Sequence, residues 1–326
     1  MNLQDGDLLR CMWERGSPAR SGELRRLLAE GANPNGHTSS GISFLAIAAK
    51  KADKDAVAAL LEAGASVEPD PQSHNSIVAL AATGLSSAHA GGDPEERRDE
   101  DRIAILKLLR QAGANFEERS SVGMTPLAKT IERSDEVSLA LIELGADVFA
   151  KNDAGQTLLS IAMLHGSPEM AFRLAELGVD INEANKYQET CLIEMVEMGD
   201  AHAVKMLVEW GADANAPEAA RKTSALHVAV RKKSLAKAEI LIKAGADPDI
   251  HDDQGATPLM MAAKAEFGEM LKLLLDSGAN PWATDNAGRI AKDYCSPSQE
   301  CWAHLEAVDL SSQAPNGAAA KKAPRI

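Results

Sequence analysis

Aromatic side chains are scarce in this chain of 326 residues, at 3%, although hydrophobic residues make up 45% of it. Its core must therefore be aliphatic, drawn from Leu, Ala, Ile, Val and Met. Strands favour aromatic and β-branched residues, so an all-α class is expected. Basic charge is also short: 34 Lys and Arg against 48 Asp and Glu leave a net charge of −14. A phosphate backbone needs a basic face, so nucleic acid is not an expected partner. No apolar run approaches the roughly 18 residues that a membrane span requires. Four cysteines, Cys11, Cys191, Cys295 and Cys301, lack the spacing of a disulfide framework or a zinc site. Such usage suits a reducing compartment. The opening stretch from Met1 to Asp7 lacks the basic-then-apolar layout of a signal peptide, and a cytoplasmic location is expected. Absent too are His-Glu-x-x-His, Cys-x-x-Cys, a glycine-rich phosphate loop and Gly-x-Ser-x-Gly. No enzyme, metal or cofactor is expected.

What the chain does have is repetition. A leucine-rich pair followed by Gly-Ala and then Asp, Asn or Ser returns along its length, as in Leu27-Leu28-Ala29-Glu30-Gly31-Ala32-Asn33 and Leu141-Ile142-Glu143-Leu144-Gly145-Ala146-Asp147. The glycines fall at Gly31, Gly64, Gly113, Gly145, Gly178, Gly211, Gly245 and Gly278, in steps of 33, 49, 32, 33, 33, 34 and 33. A second motif rides at a fixed offset. Gly123-Met124-Thr125-Pro126-Leu127-Ala128 and Gly255-Ala256-Thr257-Pro258-Leu259-Met260 are its cleanest copies. The segments around Thr157, Thr190 and Ser224-Ala225-Leu226-His227 are degenerate ones. Thr is a good helix N-cap, and Pro is tolerated in the first helical turn. Each unit thus reads as a short helix, a turn, and a second helix stopped by a glycine with positive φ. A single helix pair is too thin to enclose its apolar faces and must stack on its neighbours.

In this combination the sequence strongly resembles the ankyrin-repeat family, over roughly residues 20 to 295. The resemblance implies a solenoid of stacked helix-turn-helix units, with β-hairpin fingers after each Gly-Ala-Asp and a concave face lined by fingers and first helices. It also implies that His227 bonds backbone in the adjoining loops. The array is expected over residues 1–310, with an N-terminal capping repeat in 1–35 and a C-terminal cap in 288–310. Gly288 to Tyr294 looks like the first helix of a ninth unit, and a last helix is expected around Glu300 to Ala307. Residues 311–326, rich in Ala, Pro, Gly and Lys, read as a disordered tail.

The step of 49 marks an insertion at residues 86–102, between the two helices of the third repeat, with six acids against three arginines. Gly91-Gly92-Asp93-Pro94 signals a loop, and Glu95 onward fits a helical extension. Two readings stay open: a tolerated solvated loop, or a functional segment for a basic partner in which Glu95 and Glu96 take part. On either, removing Ala88 to Asp101 is expected to cost little stability.

Contact residues in the family cluster at finger tips and at the two positions ending the first helix. Carried over by position, the helix ends are Lys50 and Lys51, Glu132 and Arg133, Leu164 and His165, Glu197 and Met198, Arg231 and Lys232, and Lys264 and Ala265. Among finger residues Asp153, Tyr187 and Asp253 stand out, with Tyr187 the best anchor because an aromatic with a polar tip suits a hot spot. Taken singly, each also fits an ordinary exposed side chain. The expected function is non-catalytic binding of another protein, by a chain monomeric alone, with an inhibitor or immunity-type role as the narrower form. The alternative is a regulatory subunit, or an enzyme whose site is not recognisable in the array.

Overall fold

A computed structural model describes residues 6–8, 10, 19–68, 76–84, 95–218, 222–296 and 304–306. The chain divides into two compact units, Met1–Val179 and Asp180–Ile326. The first contains α1 (Ala19–Ala29), α2 (Phe44–Lys50), α3 (Lys54–Glu62), α4 (Ile77–Thr83), α5 (Glu95–Gln111), α6 (Pro126–Ile131), α7 (Asp135–Glu143), α8 (Leu158–Leu164) and α9 (Pro168–Glu176). The second contains α10 (Cys191–Met198), α11 (Ala201–Glu209), α12 (Ala225–Arg231), α13 (Leu235–Lys243), α14 (Pro258–Lys264), α15 (Gly268–Asp276) and a 3-10 turn at Ala291–Tyr294. Within each unit first helices pack on first helices, and second helices on second helices. Among the described residues no helix is long and apolar enough to cross a membrane.

The two kinds of helix bury different amounts of themselves. In α2 the run Phe44 to Ala49 is buried on every side, as is Ala225 to Val230 in α12. Small and aliphatic residues are needed there because neighbours crowd both flanks. Second helices bury one stripe, such as Val137, Ala140 and Leu141 in α7 or Met270, Leu271 and Leu274 in α15. Thr125, Thr157, Thr190 and Thr257 cap their first helices by accepting the amide three residues on, at 3.2 to 3.4 Å.

Each second helix ends where the periodicity places it. The eight glycines from Gly31 to Gly278 have φ between 83° and 100°, a backbone state that other residues enter only with strain. Two bonds then recur in the chain that follows. The side chain two residues beyond the glycine accepts the amide two further on: Asp213 Oδ1 accepts from Asn215 at 2.8 Å, and Asp247 Oδ1 from Asp249 at 2.9 Å. The side chain four residues beyond the glycine then accepts an amide of the next repeat. Asn182, Asn215 and Asp249 take those of Asp213, Asp247 and Asn280, each at 2.7 Å. In the first unit Asn35 takes that of Ser66 at 2.7 Å, and Glu117 that of Asp147 at 2.9 Å.

Three features refine the sequence expectations. Among the described residues the fingers carry no strand pairing beyond single antiparallel bridges, His37 with Ser43, Lys151 with Thr157 and Ala184 with Thr190. Side chains reinforce the backbone bond that closes each: Asn152, Asn185, Asp252 and Asp285 donate their own backbone amide to the carbonyl four residues on and accept the amides two and four residues on. Second, helix α5 runs 17 residues from Glu95, so the second half of the insertion is a helical extension. Residues 85–94 lie outside the described residues. Third, the expected ninth first helix is a four-residue 3-10 turn, and Pro297 shortly after it disfavours continuation. Of the expected last helix, residues 304–306 are helical, and the tail at 311–326 lies outside the described residues.

His227 shows how one side chain ties two repeats. Its Nδ1 lies 3.1 Å from the Ser224 amide, which donates to it, and its Nε2 lies 3.1 Å from the Ala256 carbonyl oxygen. With the Ser224 amide donating to Nδ1, the ring proton sits on Nε2, facing the Ala256 carbonyl. Burial at 1% exposure holds its pKa below the ordinary value of 6.5. The unfolded chain therefore takes up a proton at this site before the folded chain does, and stability falls as pH drops through about 6.5. Urea titrations from pH 8 to 5 are expected to show this loss in the natural protein. The loss should be smaller in His227→Gln; identical pH profiles would contradict the assignment.

Candidate functional site

The helix-end pairs stand where the first helices stop. Lys51, Glu132, His165, Lys232 and Ala265 are the C-caps themselves, and Lys50, Leu164, Arg231 and Lys264 are the last helical residues. In the first unit Lys50, Arg133 and His165 are exposed, and Leu164 is half-buried. The His165 Nε2 atom lies 3.3 Å from Glu132 Oε1. Both line an open depression of about 280 Å³ with Arg133, Ser134, Asp135 and Ser167. Arg133 reaches back to the Thr83 carbonyl at 3.5 Å. Asp153, on the next finger, packs tightly over Gly123, where an added Cβ would come within 2.2 Å of its Oδ1.

In the second unit the pattern is sharper. Tyr187, at a finger tip, is 58% exposed, and Met198, ending the first helix of the same repeat, is 66% exposed. Lys186 Nζ sits 5.2 Å from the Tyr187 ring centroid, a cation–π contact that stiffens the tip. Gln188 beside it has φ +63°, in the register where most fingers carry glycine. Lys222 does the same at φ +52°. The basic pair of the next repeat is not unpaired: Arg231 Nη2 and Lys232 Nζ each lie 2.6 Å from a different oxygen of Glu197. The Lys232 bond, followed by that of Arg231, holds the Glu197 carboxyl below the usual carboxylate range. Two cations on one anion leave a single positive charge there. Lys264 and Asp253 are exposed.

The helix that carries Glu197 and Met198 ends without the left-handed turn used elsewhere, since its cap Gly199 is extended, with φ −79° and ψ −173°. Lys237, from the second helix of the following repeat, fills the gap. Its Nζ donates to the carbonyls of Val196 at 2.7 Å, Gly199 at 2.8 Å and Met195 at 3.4 Å. An ammonium suits the negative end of a helix, although burial depresses its pKa. Lys237 is thus a positioning residue for the exposed helix end. Neither it nor the Glu197 clamp is visible in the sequence, because both join residues 34 to 42 apart.

The insertion is anchored more firmly than expected. Asp99 accepts from Ser134 Oγ at 2.6 Å and lies 3.2 Å from Arg102 Nη1. Arg102 in turn covers Gly84, where an added Cβ would meet its guanidinium at 2.5 Å. Deleting Ala88 to Asp101 would remove the Asp99 bond to the N-cap of α7, so the expectation of a nearly cost-free deletion is corrected. Glu95 and Glu96 open this helix, and their side chains lie outside the described residues. Cys191 is buried, and burial pushes its thiol up, away from the thiolate form a nucleophile needs. No group of three His, Cys, Asp or Glu able to hold a metal occurs among the described residues.

The repeat geometry agrees with the comparisons. A family model described as ankyrin repeats matches residues 134–218 and 192–285. An ankyrin repeat-containing protein of Treponema pallidum (strain Nichols) is 36% identical over 74 residues, 23% of this chain and 25% of that protein. Protein phosphatase 1 regulatory subunit 27 of Homo sapiens is 34% identical over 74 residues, 23% of this chain and 48% of that protein. The chain spans a quarter to about half the length of these relatives. Among solved structures, the ankyrin repeat domain of Bcl-3 superposes with a TM-score of 0.60 at 23% identity, covering 67% of this chain and all of that one. The chain carries ankyrin repeats over residues 134–285, and such repeats generally serve protein–protein interaction.

Removing the Lys237 ammonium tests the helix-end account. Lys237→Met keeps the stem and strips the donors from three carbonyls, which should cost about 1–3 kcal/mol. Equilibrium urea unfolding measures it, and a change within error would show that the carbonyls need no such partner.

Proposed function

We propose that this chain is a non-catalytic, cytoplasmic binding protein that acts by occupying a partner protein, sequestering or inhibiting it. The observation that carries this is the pair Tyr187 and Met198, two large side chains of one repeat that are 58% and 66% exposed at its finger tip and first-helix end. Exposed anchors on a rigid support lose little conformational freedom on binding. Around them Arg231, Lys232, Asp253 and Lys264 supply polar contacts in the second unit. Lys50, Lys51, Arg133, Asp153 and His165 supply the equivalents in the first, and Leu164 an apolar contact beside them. Glu95 and Glu96 would address a separate basic patch on the partner. Nucleic acid is not the partner on this reading, given the net charge of −14. A regulatory-subunit role is the second reading, supported by the similarity to the phosphatase regulatory subunit.

The test begins with a pull-down from native lysate and mass spectrometry, followed by surface plasmon resonance with the captured partner. Tyr187→Ala is expected to weaken binding by at least about 1–2 kcal/mol, mainly through faster dissociation. Reversing Arg231 and Lys232 to Glu should chiefly slow association, more so at low salt. Natural kinetics in both variants would remove the finger-tip and helix-end interface.

A further inference from the structure

We infer that the outer face of α7 and α9, in the first unit, is a second docking surface that takes a basic amphipathic helix of another protein. Leu139 on α7 and Phe172 on α9 are 39% and 43% exposed, on the side of the second helices turned away from the buried stripe. They occupy one register position, 33 residues apart, and the position is charged in several other repeats: Lys107, Lys205, Glu239 and Lys272. Stacking therefore does not require an apolar residue there. The two helices are joined close by, because Ser167 Oγ donates to Asp135 Oδ1 at 2.7 Å.

Charge selects the occupant. Leu139 lies between Glu136 and Glu143, and Phe172 between Glu169 and Glu176, all exposed and spaced one turn before and after. The nearby cations are Arg173, paired with Glu176 at 3.0 Å, and Lys107 and Arg110 of the preceding repeat, against which the four carboxylates remain in excess. A fitting ligand has apolar anchors flanked by Lys or Arg. A second copy of this chain, at a net charge of −14, would bring like charge to like, and so would an anionic bilayer. The spacing favours a helix. Neighbouring helices lie about 8–10 Å apart, and side chains at i and i+7 of an α-helix are about 10 Å apart. One such pair reaches both anchors.

The probe is a synthetic peptide of leucine and lysine, about 18 residues or five turns long, with leucines at i, i+3, i+4 and i+7. Fluorescence anisotropy should show it binding the full chain, with affinity falling as salt rises. Leu139→Ser with Phe172→Ser should weaken it at least about tenfold, while Tyr187→Ala leaves it unchanged, so this face is separable from the finger-tip reading. Circular dichroism checks the fold. Leu139→Lys with Phe172→Lys, which installs the residue that other repeats carry, serves if the serine pair unfolds. Equal affinity in the variants, or equal binding by a scrambled peptide or a leucine–glutamate peptide, would overturn the proposal. So would concentration-dependent dimerisation that the same variants abolish.

Discussion

In five of the described repeats the helix pair leaves one backbone amide unsatisfied, the amide two residues past the closing glycine. Its acceptor comes from the repeat before, as with Asn215 for Asp247 and Asp249 for Asn280. The apolar layers are thin and aliphatic, and the burial that drives stacking is non-directional. A layer of Leu and Ala would tolerate a small slide; a 2.7 Å bond to a fixed carbonyl-type oxygen does not. The glycine supplies the turn that aims the amide, and the Asp or Asn beside it holds the loop in shape. Hydrophobic burial makes the stack, and this relay sets its register.

The same division explains where variable chemistry is found. The acids next to the glycines are engaged with backbone, so their recurrence gives acidity without a ligand site. Side chains free of the relay lie at finger tips, at first-helix ends and on the outer faces of second helices. There Tyr187 and Met198 stand exposed, and Glu197 gathers Arg231 and Lys232. The Glu197 clamp turns an apparent basic stripe into a local, partly neutralised pair.

Much of the fold was legible because it repeats. Glycine spacing and threonine caps follow from local propensity applied many times over, each copy supporting the others, and the place of His227 follows from the resemblance to the family. Bonds between repeats were not legible. Lys237 meets Val196, and Asp99 meets Ser134, across separations that no local rule fixes. Gln188 and Lys222 left a signal, since they interrupt a glycine column, and the structure places both at positive φ. Leu139 and Phe172 left one too, as apolar residues in a column charged in several other repeats. The site residues were readable as positions in the repeat, but their pairing depended on neighbours in space.

The relay is tested most directly at Asn215, which both accepts the Asp247 amide and donates to the Gly245 carbonyl at 3.0 Å. Amide hydrogen exchange, followed residue by residue in the natural protein and in Asn215→Ala, reports the bond itself. Loss of the acceptor should speed exchange at Asp247 by at least about tenfold, equivalent to about 1.4 kcal/mol. Protection at Ser66, Asp147 and Asn280 should stay as it was. Unchanged protection at Asp247, or an equal loss at all four amides, would contradict the view that register is set bond by bond between neighbouring repeats.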